Sequence, residues 1–598
     1  MNALTPAPAA WLVGLAALVV YANSLGNGFA FDDPWVIEQN PVVTEGRFSD
    51  ALTRPYWPDA APGTGNFRPW ITSSFALEWH LFDGSPVGFH AVSVVGHAVV
   101  SVLVFFLLLC FAGPLASLVG GLVFAVHPVH TEAVANVVGR AEIYAGGAVV
   151  AAALLWWHGS AWTGWRRGLR VFGVAALYVF GLGSKEMAVT LPGVLVLLDL
   201  ARAGHRGTDP FGELRRGGLA YLLLASILIS YLLVRMDVLG ALTGESAAGG
   251  LAGLSTGERL LAALAIWPEY LRLLVLPLDL AMDYQPGVLM PSTDLGLPVV
   301  LGAAILVACV ALAFELRSRA VAVAFGLAWF LVTILPVSNL VVRADILLAE
   351  RTLYLPSVGF SLVVAGLVPE VRARLEGRAL RWAGALAVGV ILFYSGRTVV
   401  RNPTWESTAT AVNNLALQHP ESYRGLVVWA RIQESRGDLE AAAGSMEEAL
   451  NLVPDNYQLT VTAADFFART GATDRALELY RRATALTGNH YGAYRQWGEH
   501  LLRVREPEAA RRVALDGWAR AGPHRSLFAI LSESYVAEGD LEAAVRARRT
   551  AALRADATRN DWTRLAELLE ALERPEEAAE ARRRAPEFRA APAPEAIP

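Results

Sequence analysis

A chain of 598 residues that is 54% hydrophobic and only 18% charged, with a mean hydropathy of +0.40, falls outside the range of ordinary soluble proteins. Its formal net charge of −5 is too small to imply a nucleic-acid partner. Cys110 and Cys309, its two cysteines, both lie in apolar runs, so neither a disulfide framework nor a thiolate metal site is supported.

Up to about Arg401 apolar runs alternate with short polar links; beyond it the chain turns Ala/Arg/Glu-rich. A run of roughly 20 apolar residues can cross the hydrocarbon core as a helix. Twelve candidates lie near residues 10 to 25, 91 to 112, 115 to 128, 141 to 158, 170 to 183, 187 to 200, 217 to 235, 260 to 277, 297 to 314, 320 to 336, 352 to 368 and 381 to 397. No Lys or Arg precedes the first, which argues for an uncleaved span over a signal peptide.

The positive-inside rule places Arg166, Arg167 and Arg170, then Arg202, Arg206, Arg215 and Arg216, then Arg317 and Arg319, and finally Arg372 to Arg381 in cytoplasmic links. The long first loop, Gly26 to His90, carries eight acids against three arginines and belongs outside. Counting 260 to 277 as a full span would turn Arg317 and Arg319 outward. That run holds Pro268, Glu269 and Arg272, so it is read as a re-entrant or interfacial helix, giving about eleven spans.

The tail repeats. Ala442, Ala476, Ala510, Ala544 and Ala578 recur every 34 residues within matching segments such as Gly437–Ala442 and Gly539–Ala544. Thirty-four is the period of tetratricopeptide repeats, helix pairs in which a small residue permits close approach. A degenerate sixth unit is suggested upstream, where Thr408 stands in the place of the anchoring alanine. Such arrays present an extended surface for a peptide or protein. The predicted organisation is a membrane domain over 1 to 400 with external loop 26 to 90, repeats over 401 to 585, and a disordered tail over 586 to 598.

With this orientation the external face gathers Asp32 and Asp33, Arg68, His90, His127, His130, Glu132, Arg140, Glu142, Lys185, Glu186, Tyr284, Glu350, Arg351 and Tyr354, whereas the cytoplasmic face gathers arginines. Ionisable residues at membrane depth point to function, with interhelical ion pairs as the competing explanation. His127 and His130 share a spacing that suits a metal if a third ligand is supplied, and Glu132 is one candidate. Pro128 between them suggests a helix start instead. A divalent cation, Mg or Mn, is left open on this basis, with no ligand set assigned.

Arg68, Arg140, Lys185 and Arg351 suit a phosphate-bearing lipid, since guanidinium groups bind phosphate in bidentate fashion. Carboxylates beside water and cations at the lipid edge together suit a transferase whose leaving group is a lipid phosphate. One of Asp32 or Asp33 would take the proton of an acceptor hydroxyl, and the cations would stabilise the departing phosphate.

These segments resemble a known family. FDDPWVIEQNPVV from Phe31, FRPW from Phe67, VGFHAVSVVGHA from Val87, FAVHPVHTEAVANVVGRAE from Phe124, GSKEMAVTLP from Gly183, MDYQP from Met282, LLAERTLYLPSVGF from Leu347 and RNPTW from Arg401 are similar to the membrane and tetratricopeptide-repeat (TMTC-type) O-mannosyltransferases, within the GT-C class of polyprenyl-phosphate-sugar glycosyltransferases. The resemblance covers nearly the whole chain. It implies an inverting GT-C fold, with the catalytic acid in the first external loop falling on Asp32 or Asp33, a lipid-phosphate monosaccharide as donor, and a protein hydroxyl as acceptor held by the repeats. The lysine-poor, Ala/Arg/Gly-rich composition suits a bacterial member, whose multi-pass domain would sit in the cell inner membrane with its first loop and repeats in the periplasm. A non-enzymatic membrane-anchored assembly scaffold is the alternative reading.

Overall fold

A computed structural model describes residues 5–58, 66–239, 251, 254–290, 292–342, 346–486, 491–554 and 557–585; the tail over 586 to 598 lies outside them. Among these residues the secondary structure is helical, with no strand. The chain divides into two compact units, 1–419 and 420–598. The first extends past the expected boundary near residue 400, because helix Thr408–Gln418 buries Ala411 and Leu415 in a cluster with Ala30, Trp267, Tyr284 and Trp405.

In the first unit eleven of the twelve predicted runs become single helices. Pro6–Tyr21, Pro86–Leu109, Pro114–Val126, Arg140–His158, Gly164–Ser184, Leu191–Arg206, Pro210–Leu239, Leu297–Glu315, Val321–Ile334, Pro356–Arg374 and Gly377–Arg401 follow in order. Among the described residues, seven helical stretches are long and apolar enough to cross a membrane, or eight if the pair bent by 44° at His127 counts as one. The reading of eleven goes beyond that criterion, since Val321–Ile334 is short and Gly164–Ser184 and Pro356–Arg374 carry arginines. The run at 260 to 277 is broken into Thr256–Ala265 and Trp267–Val275, with Pro268 at the start of the second piece.

Burial separates the core from the lipid-facing helices. The stretch Val137–Ala161 is 78% buried in its most apolar window, whereas Leu297–Glu315 and Gly377–Trp405 are 11% buried. Without a hydrophobic drive between helices in lipid, close approach of small residues matters. Gly326 and Gly359 face one another on neighbouring helices, and a Cβ on Gly326 would lie 2.6 Å from the Gly359 carbonyl oxygen.

Polar contacts mark the two ends of this bundle. At one, Asp199 binds Trp156 Nε1 (2.8 Å), Arg202 (2.6 Å) and the Tyr221 hydroxyl (2.7 Å), and Arg206 reaches Ser160. This is the arginine-rich end. The opposite helix ends carry the acids, histidines and remaining cations singled out from the sequence.

The second unit is a row of helix pairs. First helices begin at Tyr423, Tyr457, Tyr491, Arg525 and Arg559, second helices at Leu439, Thr473, Pro507, Leu541 and Pro575, each series stepping by 34. Ala442, Ala476, Ala510, Ala544 and Ala578 are all buried where the paired helices meet. The turn between each pair needs a left-handed residue: Gly437, Gly471 and Gly539 supply it, while Arg505 (φ 63°) and Glu573 (φ 56°) adopt it despite their side chains. Asp438 and Asp540 cap the following helices through the Ala441 and Ala543 N–H groups, at 3.1 and 2.9 Å.

Candidate active site

The paired acids are not equivalent. Asp33 is wholly buried, and its carboxylate accepts the N–H groups of Ala30 (3.0 Å), Val138 (2.8 Å) and Val137 (3.4 Å). It ties the first loop to the turn that starts helix Arg140–His158. Burial pushes its carboxyl up from 3.8 to about 7, against the pull of those backbone donors. Asp32 stays partly exposed, and its backbone carbonyl accepts the N–H groups of Trp35 and Val36, both at 3.2 Å. Immediately before it Phe31 holds φ 59°, an uncommon conformation for a bulky side chain. The Phe31 N–H donates to Thr408 Oγ1 at 2.8 Å.

Three of the expected cations are coupled to one another, and one of them, Arg351, to Asp32. Arg351 feels the charges of Glu132, Asp32 and Glu142; Arg68 feels Glu186, Glu142 and Arg351; Lys185 feels Glu142, Arg68 and Arg351. Each also has a carboxylate of its own. Lys185 Nζ binds Glu142 at 2.5 Å, Arg68 binds Glu186 at 3.3 Å, and Arg351 binds Glu132 through its guanidinium and through its backbone N–H (2.8 Å). Lys185 and Glu186 therefore do not pair with each other. Glu186 also accepts Arg235 at 2.8 Å, from the far end of Pro210–Leu239.

Arg140 departs from the expected phosphate set. Its side chain is fully enclosed, paired with Glu78, donating to the Phe89 carbonyl (2.6 Å) and Ser93 Oγ (3.2 Å), with its guanidinium over the Phe75 and Phe89 rings. All its visible partners are internal, so it clamps helices together. The side chains of Lys185, Arg68 and Arg351 retain 10%, 14% and 20% exposure.

The histidines are likewise occupied inside. His127 closes the bend after Pro114–Val126: Nε2 meets the Leu274 carbonyl (2.9 Å) and Nδ1 accepts the Val129 N–H (3.2 Å). His130 Nε2 meets Ser357 Oγ at 2.8 Å, and His90 Nε2 meets the Gly28 carbonyl at 3.1 Å. With both nitrogens of His127 taken, the pair does not offer two lone pairs to one ion. Among the described residues no group of three or more His, Cys, Asp or Glu is placed to hold a metal, so the His127 and His130 pair gains no third protein ligand. Tyr354 is buried with His97, whose Nδ1 lies 2.9 Å from its hydroxyl.

Glu350 and Tyr284 form a second group with a residue that the sequence marks only as a boundary. Arg401 binds Glu350 at 3.0 and 3.2 Å and the Leu280 carbonyl at 2.7 Å, while the Tyr284 hydroxyl donates to Glu350 at 2.9 Å. Burial lifts the Glu350 carboxyl to about 7, with Arg401 opposing. Arg235, Glu78, His97, Arg401 and Thr408 are site neighbours that sequence reasoning misses. Arg235, a charge at the end of an apolar run, Arg401, which opens the RNPTW segment, and Thr408, at the broken repeat position, leave a signal along the chain; Glu78 and His97 leave none that singles them out.

No family model matches the chain. It is similar to curated proteins named protein O-mannosyl-transferase. The Caenorhabditis elegans protein F38B6.6 is 26% identical, covering 65% of this chain and 55% of its own. Mouse TMTC4 is 27% identical over 68% of this chain and 61% of its own, and human TMTC3 is 27% identical over 78% and 54%. The chain thus resembles the TMTC type, as its motifs indicate, while spanning somewhat over half the length of these relatives. Among solved structures, MamA from Desulfovibrio magneticus (19% identical, TM-score 0.24) and a thermophilic TPR protein of Thermus thermophilus (21%, TM-score 0.23) each overlap 28% of this chain, covering 93% and 91% of their own. The repeat assignment rests instead on the 34-residue phase of the helix pairs.

Proposed function

We propose that this chain is a membrane glycosyltransferase that moves a hexose, with mannose as the leading choice, from a polyprenyl-phosphate donor to a Ser or Thr hydroxyl of a protein. The chemistry would lie at the acid- and cation-bearing ends of the helices. The opposite ends hold the arginine links, so the positive-inside rule makes the site extracytoplasmic, periplasmic if the membrane is a bacterial inner one.

The observation that carries this reading is Asp32: partly exposed, on a loop pinned by its neighbour Asp33, in the same field as Arg351. Asp32 takes the proton of the acceptor hydroxyl as its oxygen attacks the anomeric carbon. The bond from that carbon to the phosphate oxygen breaks, and the electron pair leaves with the polyprenyl phosphate. Arg68 and Arg351, still partly exposed, with the largely buried Lys185 beside them, receive the growing negative charge. The repeats hold the acceptor chain.

The test is transfer from tritiated polyprenyl phosphate mannose to envelope proteins of cells lacking the gene. Asp32→Asn should lower transfer at least ~100-fold, the lower range for loss of a general base, at unchanged membrane abundance. Full transfer by this variant rejects the base assignment. If Asp32→Asn is silent in cells while deleting 420–598 removes the phenotype, the chain acts as an assembly scaffold.

A further inference from the structure

The loop that carries Asp32 is gripped from the far end of the first unit. Asn27 donates its side-chain amide to the Asn402 carbonyl (3.0 Å), the Gly28 N–H donates to the Glu406 carbonyl (2.9 Å), and the Phe31 N–H donates to Thr408 Oγ1 (2.8 Å). Asn402 is itself fixed to the end of the first helix through the Val20 carbonyl (2.9 Å), and to the turn that follows it through Asn23 Oδ1 (2.6 Å). Gly28 allows this approach, since a Cβ there would stand 3.1 Å from the Glu406 oxygen. Three successive attachments thus run along the stretch of chain that ends in Asp32.

Thr408 occupies a telling place. It lies 34 residues before Ala442, where each full repeat has a buried alanine against its partner helix. An alanine at this point would offer no acceptor to Phe31. The threonine hydroxyl supplies one at the residue whose φ of 59° is intrinsically disfavoured for a bulky side chain. On the other side of Asp32, the Asp33 carboxylate is fixed by three amides. The partly exposed carboxylate is therefore held from both directions along the backbone.

We propose that Thr408 is a positioning residue: its hydroxyl holds Phe31 in the left-handed conformation that aims Asp32 at the acceptor, so a helix in repeat phase completes the transfer site. This rests on the reading of Asp32 as the base. The chemistry requires it to be a geometric effect, because Thr408 acts through a backbone amide and touches no reacting atom.

The test uses the full chain in detergent, Thr408→Val and Thr408→Ser, with two readouts. The first is amide exchange of the peptide spanning Gly28 to Trp35, which needs no transfer. Thr408→Val should raise exchange at Phe31 about fivefold, as expected for loss of one hydrogen bond. The second is turnover with tritiated polyprenyl phosphate mannose: kcat should fall roughly ten- to a hundredfold, in line with a misplaced catalytic group, while KM for the donor stays within about twofold. Thr408→Ser should restore both. Wild-type exchange and kcat in Thr408→Val, or equal damage in Thr408→Ser, overturns the proposal. Full transfer by Asp32→Asn would instead remove the base reading, whereas an inactive Asp32→Asn beside an unchanged Thr408→Val would remove the positioning role alone.

Discussion

Replacing Asp33 by alanine removes the acceptor of three buried N–H groups and, at the same time, a carboxylate the interior disfavours. Three unsatisfied donors at about 1–3 kcal/mol each cost about 6 kcal/mol in mid-range. Against this, ionising a carboxyl whose pKa rises from 3.8 to about 7 costs the wild type about 4 kcal/mol at pH above 7. The net loss for Asp33→Ala is then about 2 kcal/mol at pH values near ~8. The pH dependence has a definite sign: because the folded value is raised, the folded state binds the proton more tightly, and stability from this group rises as pH falls from about 7 to 3.8. The wild type should therefore gain up to about 4 kcal/mol over Asp33→Ala between roughly pH 8 and pH 4. Thermal unfolding of the purified protein in detergent, followed by tryptophan fluorescence across that range, measures the difference. Parallel pH profiles for the two proteins, or an Asp33→Ala protein as stable as wild type at about pH 5, would refute the assignment of Asp33 as the buried clasp.

Three further outcomes follow from the geometry. Lys185→Met should destabilise the first unit by about 3–5 kcal/mol by stranding Glu142, and Lys185→Met with Glu142→Leu should recover most of it; equal damage in both proteins by thermal unfolding would show that the pair itself is not the source. Gly302→Ala drives a methyl into the backbone of Leu264, so helix Thr256–Ala265 should separate from Leu297–Glu315 and limited proteolysis between 256 and 296 should accelerate; an unchanged digestion pattern would contradict that contact. In the repeats, Arg505→Gly and Glu573→Gly should each raise the array's denaturation midpoint, by about 1 kcal/mol in stability, because they relieve left-handed non-glycine residues; a fall in either would mean that the lost side-chain contacts outweigh the backbone gain.

The helices of the first unit are legible in the sequence because apolar runs of membrane length need no long-range information, and Pro268 marks the broken segment. The repeats are equally open to reading, since the 34-residue phase is written in Ala442 and its four successors. The site is legible only as a set of residues sharing one end of the bundle. Asp32 and Asp33 are chemically identical neighbours, and what separates them is the position of the Val137 and Val138 amides, about a hundred residues away. Arg140 and Arg351 likewise read alike until Glu78, the Phe89 carbonyl and Ser93 enclose the first. Thr408 reads as a defect in the repeat pattern because its partner, the Phe31 amide, lies at the other end of the unit's sequence.

The constant step of 34 in both helix series has a practical meaning for how far this protein can reach. Whole helix pairs added or removed after residue 420 leave every contact of helix Thr408–Gln418 with the first loop untouched, because that helix closes on the first unit. Array length is thus separable from catalytic geometry. On the proposed reading, chains with different repeat numbers would present acceptors of different size to the same site, whereas an insertion that breaks the phase between 402 and 408 would reach the Asp32 loop directly.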